Sequence, residues 1–392
     1  MTPMTREGPS PVYVDYNATT PMAPEVLVAM APFWQAEFYN PSASYASAYG
    51  ARHAVEDARA AVAHLLGSAP ETIVFTSGGT ESNNGVFWGT WLARHAGRRR
   101  IVISSMEHPS VIESAKALQA LGAEVITIPV DSEGVIRVDT LEAVITEDTA
   151  LVSVMLANNE VGTVQPVAAV SERAHAVGAW MHTDAAQAVG KIAVDVTQLG
   201  VDFLTLAGHK WYAPKGIGAL YIHPRITLPP FLVGGGQERG RRSGTTPVPL
   251  VVGLGRAAQL AAAWLAAGGV ESQAARRDHL ETQILQLHPQ VRIFGRRAAR
   301  LPNTVAMAYP GWDGPSLLAA CPTILAGTGS ACHSAGTGSS TLQAMGYAPS
   351  VRRGLVRLSL GRETTDEELV RVVAAFRQAV ASSSLTPIPE EE

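Results

Sequence analysis

The stretch AGHKWYAPKGIG (207–218) sets a lysine just behind Phe203-Leu204-Thr205-Leu206, a run that reads as a buried strand. An amine at the rim of a crevice is desolvated, which lowers its pKa and lets it condense with a carbonyl cofactor. The alternative is a lysine that snorkels its ammonium to water. The chain has only four lysines, so the others can be weighed one by one. Lys116 lies in the helical pattern SVIESAKALQALG and is expected on a solvated face. Lys191 follows the glycine of QAVGK and is expected to face water. Lys215, in APKG, is a turn residue. Lys210 alone follows a strand directly.

Three further stretches bear on Lys210. HTDAAQ (182–187) closes another strand with Asp184 at its end. A carboxylate and a lysine converging on one crevice are what pyridoxal phosphate needs: the amine for attachment, the acid to keep the ring nitrogen protonated. Asp184 could equally cap the next helix. TSGGTES (76–82) joins a strand to a helix, and its small residues leave amide N–H groups open to a phosphate. No Gly-Lys-Ser/Thr follows, so it is not a P-loop; a plain strand–helix turn is the bland reading. SSMEHPSV (104–111) brings His108 to the same rim, either as a structural imidazole or as a ring that stacks on a cofactor and shuttles protons.

These residues need a scaffold. TIVF (72–75), RIVISS (100–105), EVITIPV (124–130), ALVSVML (150–156), WMHTD (180–184), DFLTL (202–206) and GALYI (218–222) predict seven buried strands. Helical patterns lie between them, such as RHAVEDARAAVAHLL (52–66), with Val55, Ala58, Val62 and Leu65 on one face. The alternation predicts a mostly parallel sheet covered on both faces, with ligands at the carboxyl ends of its strands. The segment 223–249 is dense in Gly, Pro, Arg and Thr and predicts a long loop, either functional or disordered. A second region follows, with strands NTVAMAY (303–309) and LVRLSLG (355–361).

Composition narrows the function. Hydrophobic residues make up 46% of the 392 and charged residues 16%, the profile of a well-buried enzyme. A net charge of −4 offers no basic field for nucleic acid. The N-terminus has no apolar core of a signal peptide. The apolar stretch 249–269 is broken by Arg256 and Gln259 and reads as a buried helix rather than a membrane span. The two cysteines, Cys321 and Cys332, form no CxxC pair, which points to a reducing, cytoplasmic setting.

Ten motifs occur in order: VYVDYNATTP (12–21), NPSA (40–43), FTSGGTESNN (75–84), EHPSV (107–111), MLANNEVG (155–162), HTDAAQAVGK (182–191), GHKWYAPKGIGALY (208–221), GGGQERGRRSGT (234–245), GSACHSA (329–335) and VRLSLGR (356–362). Together they resemble the class V, fold-type-I pyridoxal phosphate enzymes, in the branch of cysteine desulfurases and selenocysteine lyases. The resemblance runs from about residue 12 to about 370. It implies an α/β fold: a large cofactor-binding domain (16–257) with a mostly parallel seven-stranded sheet, and a smaller α+β domain (1–15 and 258–392) that carries the Cys332 loop and Arg357.

The resemblance also implies roles. Lys210 would hold pyridoxal 5'-phosphate as an imine and later move the substrate α-proton. Asp184 would pair with the pyridine nitrogen, Gln187 with the phenolic oxygen, and His108 would stack on the ring. Thr80, the backbone around Gly79, and His209 would hold the phosphate. Asn159 would touch cofactor and substrate, and Arg357 would clamp the substrate carboxylate. Thr245 would reach the phosphate of a neighbouring subunit, which implies a homodimer with shared sites. Cys332 would be the loop cysteine that accepts sulfur as a persulfide, for transfer to an acceptor protein. Cys321, in an apolar context, is expected to be inert core. The chain departs from the pattern at Ala207, where many members have serine, and at Asn83, where many have Asp. The implied reaction converts L-cysteine to L-alanine. The alternatives are L-selenocysteine as substrate, a pyridoxal-dependent C–S lyase or aminotransferase without a persulfide, and a binding scaffold without catalysis.

Overall fold

The computed structural model describes residues 10–329 and 338–382. Twelve strands form among them: β1 (Val12–Tyr13), β2 (Ile73–Thr76), β3 (Arg100–Ser104), β4 (Glu124–Ile128), β5 (Thr149–Ser153), β6 (Trp180–Asp184), β7 (Phe203–Ala207), β8 (Gly218–Ile222), β9 (Arg292–Ile293), β10 (Thr304–Ala308), β11 (Ile324–Leu325) and β12 (Leu355–Ser359). The seven β-branched runs make one sheet, in the order β2-β8-β7-β6-β5-β3-β4. Only β8 runs against its neighbours; the pairs from β7 to β4 are all parallel. The carboxyl ends of β2, β3, β5, β6 and β7 therefore share one edge.

Both faces of that sheet are covered, as continuous apolar strands demand. On one face the helices Gly79–Arg94 and Pro109–Gln119 bury Val86, Phe87, Val111 and Leu118 against Ile101, Leu151 and Phe203. On the other the helix Ala48–Leu65 buries Val55, Ala58, Val62 and Leu65. Each such Val, Leu or Phe withdrawn from water stabilises the fold by roughly 1.5–3 kcal/mol. The apolar segment near 249–269 is the helix Val248–Ala266, which packs along Ala48–Leu65. A Cβ on Gly255 would stand 2.5 Å from Ala58 Cα, so the two backbones touch only because Gly255 has no side chain.

A second core joins Val12, Val14, Leu280, Ile284, Val305, Met307, Leu358, Val372 and Phe376. It is built on the antiparallel sheet β12-β10-β9 and the parallel pair β1-β11. The start of the described chain thus packs with residues beyond 280. The expected boundary after residue 257 falls inside the continuous helix Val248–Ala266.

Candidate active site

A cavity of about 510 Å³ opens at the carboxyl edge of the large sheet. It collects Gly79, Thr80, His108, Asn159, Asp184, Gln187, His209, Lys210 and Arg357, nine of the eleven expected site residues. Thr245 is not in its wall and is exposed. Cys332 lies outside the described residues. Gly329, three positions before it, lines the cavity.

Each side chain is delivered by the end of a strand. β7 stops at Ala207 and passes into the short turn Gly208–Lys210. The chain then bends sharply, with Tyr212 in the left-handed region at φ 70°. That conformation is held by Thr20, whose Oγ1 accepts from Tyr212 N–H at 2.7 Å. The Lys210 ammonium donates to the carbonyls of Asn17 (2.8 Å) and Ala18 (2.9 Å). β6 ends on Asp184, which is 6% exposed. Its carboxylate accepts from Asn83 Nδ2 (2.8 Å) and from the Ala186 N–H (2.9 Å), both neutral donors. The Asn83 departure thus presents a donor to the acid where an aspartate would present a second carboxylate.

β3 leads to His108, the N-cap of Pro109–Gln119. Its Nδ1 accepts from the Ser110 N–H at 3.1 Å. The ring opens to the cavity but is crowded by protein. Desolvation lowers its pKa, Lys210 lowers it further, and Asp184 opposes both. His209 is pushed down to about 4 by burial and by Lys210, Lys215 and Lys191. Both shifts favour the neutral imidazole, and His209 can offer a phosphate an N–H donor.

The turn expected to hold the phosphate follows β2. The helix Gly79–Arg94 starts there with no side-chain cap, leaving its first amides open. A Cβ on Gly218 would stand 2.7 Å from Gly78 Cα, so glycine lets β8 come up beneath this turn. Ala207 lines the same cavity without a hydroxyl. The donor set fits pyridoxal phosphate: an amine, a sequestered carboxylate held only by neutral donors, a flat neutral imidazole, and open amides at a long helix's N-terminus.

Arg357, on β12, does not wait with an empty fork. Its guanidinium donates to Asp15 Oδ1 (2.5 Å) and to the Asn159 carbonyl (2.8 Å), and Nε is buried without a hydrogen-bond partner among the described residues. Asp15 shows that a carboxylate fits this guanidinium.

Three buried groups were missed or misplaced by sequence reasoning. Lys191, expected in water, is 7% exposed and sits beside the site; the turn that follows β6 folds back and tucks it under Asn17. Asn17 is 1% exposed and bonds to both regions: its carbonyl accepts from Lys210 and Gln187, its Nδ2 donates to Thr304 Oγ1. Its presence in VYVDYNATTP was the available signal. Glu107, one residue before His108, is fully enclosed. Oε1 accepts from Ser104 Oγ (2.5 Å) and Met155 N–H (2.7 Å); Oε2 has no partner. Burial raises its pKa to about 8 against those two hydrogen bonds, with a smaller push from Asp184. Cys321 is buried, which pushes its thiol up to about 11.

Glu107 gives a stability prediction. Between pH 4.5 and about 8 the folded chain keeps a proton that the unfolded chain releases. Its contribution is full at low pH and drains as pH rises through that window. Glu107→Gln cannot ionise, so its melting temperature relative to wild type is expected to rise by several degrees from pH 5 to pH 8. A constant difference across that range would contradict the neutral carboxyl.

The model of the family described as aminotransferase class-V matches residues 12–372. Cysteine desulfurase 2 of Trichormus variabilis is 42% identical over 367 residues, covering 93% of this chain and 92% of that protein. A solved NifS-like protein superposes with a TM-score of 0.89 at 34% identity, over 95% of this chain and 99% of that one. A structure of SspA in complex with cysteine superposes with a TM-score of 0.79 at 33% identity, over 90% and 99%. By these matches the chain belongs to the pyridoxal phosphate-dependent aminotransferase class-V family, in its cysteine desulfurase branch.

Proposed function

We propose that this protein removes sulfur from L-cysteine, leaving L-alanine and a persulfide on Cys332. The observation that carries the reading is the convergence of Lys210, Asp184, His108 and Arg357 on one cavity whose wall includes Gly329. The relative solved with cysteine supports the choice of substrate.

Pyridoxal phosphate, when bound, supplies an electron sink for the substrate's α-carbon. The chain's residues do the rest. Lys210 attaches the cofactor, and its freed amine takes the α-proton. Asp184 keeps a proton on the ring nitrogen, its carboxylate oriented by the Asn83 amide and the Ala186 N–H. Arg357 takes the substrate carboxylate in the way it now takes Asp15, a pairing the planar fork makes specific. The Cys332 thiolate attacks the substrate sulfur; the Cβ–S bond breaks and an S–S bond forms. The carbon skeleton ends as alanine with protons returned at Cβ and Cα, so no external oxidant or reductant enters.

The reading extends to a homodimer in which Thr245 serves the partner's phosphate end, and to a sulfur-acceptor protein, both in a cytoplasmic setting. Thr245 is exposed beside the turn at 77–81, on a loop tied there by the Arg242–Glu81 ion pair (2.9 Å).

The test is purified protein loaded with pyridoxal phosphate and given L-cysteine and L-selenocysteine in parallel. Alanine is expected from cysteine with its sulfur retained on the protein. Alanine with free selenide from selenocysteine alone would replace this function by selenocysteine lyase. Pyruvate or a keto acid would replace it by a C–S lyase or aminotransferase.

A further inference from the structure

Lys191 has an unusual set of surroundings. Its ammonium lies inside the protein, yet its two hydrogen bonds go to neutral oxygens: Asn17 Oδ1 at 2.7 Å and Gln187 Oε1 at 2.6 Å. The charged groups facing it, Lys210, Arg357 and Arg362, are all cations. They and burial depress its pKa well below the ordinary lysine value. An amine with no carboxylate partner among the described residues is a costly way to fill space that a methionine would fill without desolvation. What the amine adds is directional: with two hydrogens even when uncharged, it donates to both oxygens.

One of those oxygens decides a geometry at the active site. A glutamine amide can point either end toward a given place, and the two ends have opposite hydrogen-bonding sense. Lys191 takes Oε1 of Gln187, which turns Nε2 outward, where it donates to the Asn17 carbonyl at 3.0 Å. The flipped amide would set donor against donor at Lys191 and acceptor against acceptor at Asn17. Nε2 carries a second hydrogen, and Gln187 lines the cavity. Asn17 is locked in turn, its Oδ1 accepting from Lys191 and from Asn303 Nδ2 at 3.1 Å.

We propose that Lys191 is a positioning residue, holding Gln187 so that its amide N–H, and not its carbonyl, faces a negatively charged oxygen of the bound cofactor. The inference rests on the reading of the cavity as a pyridoxal phosphate site. A donor on that oxygen favours its ionised form, so loss of the donor raises the pH at which the bound chromophore titrates.

The experiment follows the pH titration of the visible band in wild type, Lys191→Met, Lys191→Gln, Gln187→Ala and the Lys191→Met/Gln187→Ala double variant, all loaded with pyridoxal phosphate. Lys191→Met is expected to raise the midpoint by about one pH unit, the scale of one hydrogen bond to a charged group. Lys191→Gln restores a donor to Oε1 and keeps the wild-type midpoint. The double variant shifts no further than Gln187→Ala alone, because both changes remove the same N–H. Should Lys191→Met fail to fold, Lys191→Leu carries the same expectation. Melting of the cofactor-free proteins separates a filler from a positioner. A fall in melting temperature with an unmoved midpoint overturns the proposal, as do shifts that simply add. A wild-type protein that forms no visible band takes down the cofactor reading instead, and this inference with it.

Discussion

Lys210→Ala is expected to leave a folded protein that no longer attaches pyridoxal phosphate and turns over cysteine at least about 10³-fold more slowly. The side chain sits at the mouth of a turn and donates to the carbonyls of Asn17 and Ala18, the first of which also accepts from Gln187. Removing it therefore costs chemistry rather than packing. Two functions vanish together: the covalent anchor and the base that moves the α-proton. Nothing nearby replaces them. His108 and His209 are neutral and cannot anchor an aldehyde, and the amine of Lys191 is held by two amide oxygens. The check is borohydride reduction followed by peptide mapping. Wild type should carry the label on residue 210 and the variant none. A label elsewhere in wild type would overturn the assignment.

Cys332→Ser is expected to cut alanine formation from cysteine by at least about 10²-fold while leaving the visible band of the loaded protein unchanged. A serine hydroxyl is not ionised near neutral pH and has no persulfide chemistry, whereas a thiolate is both nucleophile and sulfur acceptor. Selenocysteine, with its more acidic leaving group, is expected to be turned over by the variant with a smaller loss. Measuring alanine from both substrates in wild type and variant separates the outcomes. Unchanged turnover on both would remove the persulfide step. Cys321 cannot substitute, because burial raises its thiol to about 11 and it lies in the second core.

Much of the scaffold was legible because seven β-branched runs carry their own burial signal. Each of them became a strand of the large sheet, two with the expected ends and the others with an end moved by up to three residues. The strands β1, β9 and β11 were not legible: two residues have no period, and each exists only because a distant segment lies alongside. The same contrast holds in the cavity. Lys210 and Asp184 announce themselves by ending strands. Lys191 does not; glycine before it suggested a solvent-facing turn, and its burial depends on Asn17, 174 positions away. Glu107 was hidden beside a more conspicuous histidine, since its environment is made by Ser104 and Met155 from two different strand ends. Arg357 was legible as a cation but not as one already holding Asp15.

The sequence by itself determined which groups could react and in what order the strands and helices come, because local periodicity and strand ends are properties of neighbouring residues. Only the tertiary structure decided which polar atoms face each other: the donor set on Asp184, the carboxylate on Arg357, the two amide oxygens on Lys191. Each of those sets includes a partner a hundred or more positions away. Their strength comes from exclusion of water, which no short stretch of chain can arrange alone.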